Sequence, residues 1–317
     1  MRAAVIEQYG NPPVVREMPP PPAADGATLI EVLAAPLNPV DLSIANRRFY
    51  GDSPKIPYVP GREGVGRVLK GSSMQPGTRV YFEVDGPHGS LAEQSATSPI
   101  HLAEVPSGVS DAAAACLGIA ALAAWLALEW RAMLRQGETV LVLGASGALG
   151  MIAVQAARLL QAGRVIAAAR SAEGLKKATG LGADVTVPLP GDDGLTERFK
   201  EAAGGPIDVV IDPLWGPPGL AAMKALRVGG RHVQLGQAAG AEIDLPSSVV
   251  RGKQLTILGH TNFAVPWEVK ARAFQTMAVH ALAGRLRVEY ETLPLEETPQ
   301  AWQRQASSPG RKLVLLP

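Results

Sequence analysis

The chain has 317 residues, with 30 Lys+Arg against 29 Asp+Glu and a formal net charge of +1. That balance excludes a nucleic-acid binder acting through bulk charge. With 47% hydrophobic and only 19% charged residues, it also excludes a disordered chain. The length suits about two domains. The single cysteine, Cys116, makes neither an internal disulfide nor a cysteine-rich zinc site. The segment Met1–Glu7 shows no apolar leader, so a cytoplasmic setting is the expectation. The longest uncharged run, Ala112 to Leu128, is alanine-rich and shorter than the about 20 apolar residues of a membrane helix. It reads as a buried helix, and no membrane partner is expected.

The first third reads as β. Arg2–Ile6, Ala27–Leu33, Gly66–Leu69 and Arg79–Phe82 are short runs rich in branched residues. Turn clusters at Pro19–Pro22, Asp25-Gly26, Gly71-Ser72-Ser73 and Pro76-Gly77 bound them, which predicts a sandwich or open barrel. Near Ser110-Asp111 the pattern changes, and Asp111 is expected to cap a helix through the alanine-rich run. Glu129–Leu134 is a second helical stretch. Then strands at Thr139–Leu143, Arg164–Ala169, Val185–Val187, Asp208–Ile211 and His232–Leu235 alternate with helices at Ala148–Leu160, Glu173–Thr179, Leu195–Ala203 and Leu220–Leu226. Leu255–Leu258 is a candidate sixth strand. This rhythm predicts an α/β fold with a doubly wound parallel sheet. A helix Trp267–Ala283, a segment Arg287–Leu293 and a strand Lys312–Leu316 follow. The last strand needs a partner, and the β-rich first domain offers one, with the parallel-sheet domain inserted between.

The chemistry concentrates at Val140-Leu141-Val142-Leu143-Gly144-Ala145-Ser146-Gly147-Ala148-Leu149-Gly150. A hydrophobic strand runs into a glycine turn and a helix start. Residues without Cβ let a backbone approach a diphosphate, and the first-turn N–H groups and the helix dipole favour its charge. Gly150 is expected to let the helix pack close. Candidate cofactor contacts are Gly144, Ser146, Gly147, Ala148, Leu149 and Gly150. At the end of the next strand an NAD-binding unit places a carboxylate on the ribose 2′-hydroxyl. Here stand Ala169, Arg170 and Ser171. A guanidinium attracts a 2′-phosphate that an acid would repel, so NADPH is expected over NADH, with Lys176 or Lys177, one helical turn on, adding charge.

With these residues in view, the chain resembles the zinc-independent quinone oxidoreductase branch of the medium-chain dehydrogenase/reductase superfamily. Leu37-Asn38-Pro39-Val40-Asp41, Pro60-Gly61-Arg62-Glu63-Gly64-Val65-Gly66, His88-Gly89-Ser90-Leu91-Ala92-Glu93, the glycine turn, Leu181-Gly182-Ala183-Asp184, Gly229-Gly230-Arg231 and Lys312-Leu313-Val314 carry the likeness. The resemblance implies a GroES-like β-rich substrate domain (1–113), a Rossmann NADPH-binding domain (114–256) and a return segment (257–317). It also implies a cleft active site and a homodimer. In the zinc alcohol dehydrogenases of that superfamily a Cys stands where this chain has Asn38 and a His where it has Arg62. A third ligand matches Cys116. One thiol of three ligands remains, so no metal is expected.

Without a metal an alcohol is a poor substrate, because nothing stabilises its alkoxide. A quinone or an α,β-unsaturated carbonyl takes hydride at carbon and spreads the charge to oxygen. Asn38 and Tyr50 are the candidate catalytic donors. Gly236, after the fifth strand, is a further candidate contact. Two other readings stand beside this one: an NADPH-dependent alcohol or aldehyde enzyme, and a non-catalytic NADPH-binding sensor. The turn also nearly spells a hydrolase elbow around Ser146, with Asp212 and His260 as nominal partners.

Overall fold

A computed structural model of the protein describes residues 1–22, 26–71, 74–189 and 194–317. Asp25, Ser72 and Ser73 of the expected turns lie outside them. In chain order the elements begin with strands β1 (Arg2–Val5), β2 (Val14–Glu17) and β3 (Thr28–Pro36) and helix α1 (Pro39–Ala45). Then come β4 (Glu63–Lys70), β5 (Arg79–Glu83), β6 (Gln94–Thr97), β7 (Leu102–Glu104), α2 (Asp111–Ala115) and α3 (Ile119–Leu126). Next follow β8 (Thr139–Leu143), α4 (Ala148–Leu159), β9 (Arg164–Ala169), α5 (Ala172–Gly180), β10 (Val185–Pro188), α6 (Leu195–Ala203), β11 (Val209–Asp212) and α7 (Gly216–Ala225). The chain ends with β12 (Arg231–Gln234), α8 (Ser247–Lys253), β13 (Thr256–Gly259), α9 (Trp267–Leu282), β14 (Tyr290–Pro294), α10 (Thr298–Ala306) and β15 (Lys312–Leu316).

These form two compact units, Met1–Ala120 with Pro266–Pro317, and Ala121–Val265. In the first, a mixed sheet runs β14-β15-β3-β4-β5-β7, with β6 also on β3. The closing strand does return: β15 lies antiparallel to β3, Val314 opposite Pro36 and Leu315 opposite Ala35. Its sequence KLVLL is buried at four of five positions, because it is hydrogen-bonded between β14 and β3. Ile30, Val32, Val80, Phe82, Leu313 and Leu315 share its core.

The second unit is a six-stranded sheet, β10-β9-β8-β11-β12-β13, parallel at every pairing. Counted from β8, the order is 3-2-1-4-5-6, so the winding reverses between β8 and β11. Such strands are covered on both faces and read as unbroken apolar runs. Val140–Leu143 is fully buried for this reason.

The structure departs from expectation where long-range contacts act. Ser110, not Asp111, caps α2, its hydroxyl accepting from the Ala113 N–H at 3.3 Å. Asp111 instead takes Arg79 as ion partner at 2.7 Å. The alanine-rich helix breaks at residues 116–118, and a π-helical turn, Ala127–Arg131, replaces the start of the second stretch. At the break, a Cβ on Gly118 would fall 2.6 Å from the Tyr81 ring and closer still to the Glu63 carboxylate. The Ile119 N–H donates to that carboxylate.

Candidate active site

In the second unit the glycine turn lies at the carboxyl end of β8, at the reversal point. Gly144 sits at φ +64°, which favours glycine. Gly150 is fixed by closeness to the turn itself: a Cβ there would meet the Gly144 carbonyl oxygen and, at 2.7 Å, the Ala145 Cα. Gly147, the N-cap of α4, is different. Its φ is −86°, and a Cβ would meet only the Gly144 carbonyl at 3.5 Å, an ordinary contact. Among the described residues nothing demands glycine there, and no side chain caps the helix. The first-turn N–H groups of Ala148, Leu149 and Gly150 have no intrahelical acceptor. Ser146, Gly147, Ala148 and Leu149 are half-buried, as a cradle for an anion requires.

Beside this turn, α5 comes so close that a Cβ on Gly174 would overlap the Ser146 Cβ. Two helix N-termini therefore converge. Gly174 was not legible as a site residue, since its reason is a neighbour 28 positions back in the chain. Ser171 caps α5 by accepting from the Gly174 N–H at 3.0 Å, which leaves its own proton to donate. Arg170 is exposed and makes no hydrogen bond or ion pair among the described residues. Lys176 is exposed too, while Lys177 pairs with Glu173 at 3.6 Å.

The β11–α7 loop packs on the same turn, with Pro213 Cγ and Leu214 Cδ2 each 3.2 Å from where a Gly144 Cβ would stand. Gly236 lies against Pro213, whose carbonyl oxygen leaves 2.8 Å for a Cβ. Asp212 is fully buried. One of its oxygens accepts from the Leu214 and Trp215 N–H groups at 2.7 and 2.8 Å, the other from His232 Nε2 at 2.9 Å. The hydrolase reading fails here: His260 bonds Asn262, and Asp212 is committed to His232 and its own loop.

The first unit holds a second arrangement that pattern reading missed. Glu63 is fully buried. Its carboxylate accepts from Asn38 Nδ2 at 2.7 Å, Tyr81 Oη at 3.0 Å and the Ile119 N–H. Lys312 Nζ lies 3.7 Å from Glu63 and donates to Asn38 Oδ1 at 2.6 Å and the Leu37 carbonyl at 3.1 Å. Tyr81 Oη also lies 3.2 Å from Glu83, which accepts from Lys270 Nζ at 2.5 Å. Lys312 and Lys270 thus each stand beside a buried carboxyl group, Glu63 and Glu83, inside the unit. Burial pushes Glu63 up to about 7, against Lys312 and its three donors. Asp41 accepts from the Asn38 and Arg62 backbone N–H groups, and burial raises it to about 6. Burial pushes the Cys116 thiol up to about 12, so it stays protonated.

These contacts change the reading of three candidates. The Asn38 amide is not free to donate outward: it is 1% exposed and is engaged by Glu63 on one side and Lys312 on the other. Arg62 extends to Asp85 at 2.6 Å. Tyr50 stands on a loop, 75% exposed, its ring 4.2 Å from that of Phe49. Asn38 and Tyr50 therefore occupy opposite environments.

Two domain families match this chain, the alcohol dehydrogenase GroES-like domain at residues 24–133 and the zinc-binding dehydrogenase at residues 148–278. Quinone oxidoreductase-like protein 2 of Mus musculus is 33% identical over 276 residues, covering 83% of this chain and 78% of that protein. The chain belongs to the quinone oxidoreductase group of the medium-chain dehydrogenase/reductase superfamily. It is an oxidoreductase. An Arabidopsis thaliana NADPH-dependent alkenal/one oxidoreductase, chloroplastic, is 32% identical over 251 residues, covering 74% of this chain and 62% of that one. The quinone oxidoreductase of Thermus thermophilus, solved also in complex with NADPH, superposes with a TM-score of 0.84 over all of both chains at 29% identity. Among the described residues no helix is long and apolar enough to cross a membrane, and no group of three or more His, Cys, Asp or Glu is placed to hold a metal ion.

Proposed function

We propose that this protein is an NADPH-dependent reductase of quinones or α,β-unsaturated carbonyls that works without zinc. The observation that carries the reading is Arg170, an exposed guanidinium with no partner among the described residues. It stands at the end of the strand after a glycine turn where, among the described residues, no contact and no backbone angle requires Gly147 to be glycine. The glycine turn and the free first-turn N–H groups fit a diphosphate. Arg170, the Ser171 hydroxyl and Lys176 fit a 2′-phosphate. When bound, NADPH supplies the hydride. The relatives whose names include NADPH-dependent alkenal/one reduction and a complex with NADPH support this choice of coenzyme.

The residues aligned with zinc ligands do not suit zinc. The Asn38 amide is engaged, the Cys116 thiol stays protonated, and Arg62 brings positive charge. Lys312 already places a fixed cation beside Asn38. No step therefore runs through a metal. The chain's own groups must bind and orient a substrate whose negative charge is delocalised, which suits a conjugated carbonyl better than an alcohol. In this reading Asn38 is a positioning residue that locks Glu63 to Lys312. Tyr50, with an exposed phenol, remains the candidate donor to the developing oxygen anion.

The test is loss of NADPH absorbance with panels of quinones, enones and simple aldehydes, repeated with NADH. Turnover of quinones or enones, with NADPH preferred, is expected. NADPH binding with no turnover on any panel would make the protein a sensor, and aldehyde turnover alone would replace the substrate class.

A further inference from the structure

Trp215 has a backbone conformation that its residue type should avoid. Its φ is +56° and ψ −152°, at the edge of a region that is essentially glycine's own. Asp212 holds it there by accepting from the Trp215 and Leu214 N–H groups, and His232 pins Asp212 from below. The next residue, Gly216, also has positive φ, at +60°, and leaves only 2.8 Å between a Cβ and the Ala239 carbonyl carbon. The segment is thus fixed on both sides. A glycine at 215 would satisfy the same contacts without strain, so the tryptophan side chain answers some other need.

The indole lies edge-on over the His232 ring, 6.0 Å between centroids at 67°. It is only half-buried, and its N–H makes no hydrogen bond among the described residues. Its place in the sheet is informative. Arg170 follows β9 on one side of β8, and the β11–α7 loop lies on the other, against Gly144. The Ala239 N–H donates to the Leu214 carbonyl at 2.7 Å, tying this loop to the one after β12. A dinucleotide with its diphosphate on the β8 turn and its adenosine phosphate on Arg170 extends its other half over β11 and β12.

We propose that Trp215 is a coenzyme-facing residue, its indole packing against the nicotinamide riboside half, and that Asp212 and His232 are the positioning pair that hold it there. This rests on the coenzyme reading above. Aromatic faces and an unused N–H suit a flat ring carrying an amide.

The experiment compares Trp215→Gly and Trp215→Phe with the wild type. Each is titrated with NADPH and with 2′-phospho-ADP-ribose, which lacks the nicotinamide, and thermal unfolding is followed on the same samples. Trp215→Gly should unfold at the same or a higher temperature, since its backbone is relieved. It should bind NADPH roughly tenfold more weakly yet hold the truncated ligand within about twofold. Trp215→Phe, which keeps an aromatic face, should retain NADPH within about threefold. A glycine variant that unfolds earlier while binding NADPH like the wild type would make the indole a packing anchor and overturn the proposal. Equal losses for both ligands would overturn it too, by showing a collapsed loop. If the wild type itself fails to bind NADPH, the coenzyme reading falls first. If it binds and the variants match it, this inference alone falls.

Discussion

Lys312→Met tests the buried cluster of the first unit, because it removes the charge and keeps the stem. Lys312 is 4% exposed, and two separable effects follow. The first does not depend on pH. Asn38 Oδ1 and the Leu37 carbonyl lose a charged donor and stay buried, which costs about 2 kcal/mol. The second depends on Glu63, whose attraction to Lys312 exists only while Glu63 is ionised. Folding raises Glu63 from 4.5 to about 7, and Lys312 is the strongest influence holding it down. An acid raised by folding binds its proton more tightly in the native state, so its contribution to stability falls as pH rises from the unfolded to the folded value. In the wild type that decline ends near 7, whereas in Lys312→Met it continues to higher pH. The cost should therefore grow from about 2 kcal/mol at pH 5 to about 4 kcal/mol at pH 8, in the range for breaking a buried pair. Urea unfolding at both pH values, with m unchanged, measures it. In a Glu63→Gln background most of that pH dependence should vanish, leaving only the smaller share from Asp41, which is raised to about 6 and which Lys312 also holds down. A cost that does not vary with pH when Glu63 is present, or one larger at pH 5, would refute the coupling.

Gly147→Ala should change stability by less than about 1 kcal/mol, yet weaken NADPH binding roughly tenfold by filling the space left for the diphosphate. Gly150→Ala should instead lose about 2 kcal/mol or more through overpacking. Calorimetry and coenzyme titration on both variants check the contrast, and equal effects would remove the diphosphate from Gly147. Arg170→Ala should lower the NADPH-to-NADH affinity ratio roughly tenfold, about 1.4 kcal/mol. An unchanged ratio would place the 2′-phosphate elsewhere. Dialysis against a strong chelator should leave turnover intact; a loss restored by added zinc would refute the zinc-free reading.

The second unit was largely legible because its signals are local. The strand Thr139–Leu143, the strand Arg164–Ala169 and the helix Leu195–Ala203 have the observed bounds, since apolar runs between glycines mark where covered strands begin and end. The elements that escaped notice are short. β2, β6 and β7 have three or four residues each, too few to show alternation. α1 and α10 carry proline in their first turn, where it suits a helix start but also resembles a loop. The break after α2 was hidden for another reason. The alanine-rich run favours a continuous helix at every position, and the group that interrupts it, Glu63, lies 56 residues away from Ile119.

The same distinction separates the proposed coenzyme turn of the second unit from the polar cluster of the first. The turn and the end of the next strand lie close together in sequence, so spacing alone points to them. The polar cluster draws Asn38, Glu63, Tyr81, Glu83, Lys270 and Lys312 from separate segments, and none of them is unusual in its own sequence context. A buried Lys or Glu is rare unless paired, but burial is visible only once β15 has returned to β3. That return also bears on chemistry. Lys312 begins β15, so the closing strand that completes the sheet delivers the cation to Asn38 and Glu63. Unlike a metal, this cation is covalently fixed and offers no open coordination position to a substrate oxygen. Its N–H groups are engaged by Asn38 and the Leu37 carbonyl, and the amide it orients is spent on Glu63, so it acts on nearby charge through its field. On the proposed reading, a field of this kind suits an enolate or a quinol anion, whose charge is spread by conjugation, better than a localised alkoxide.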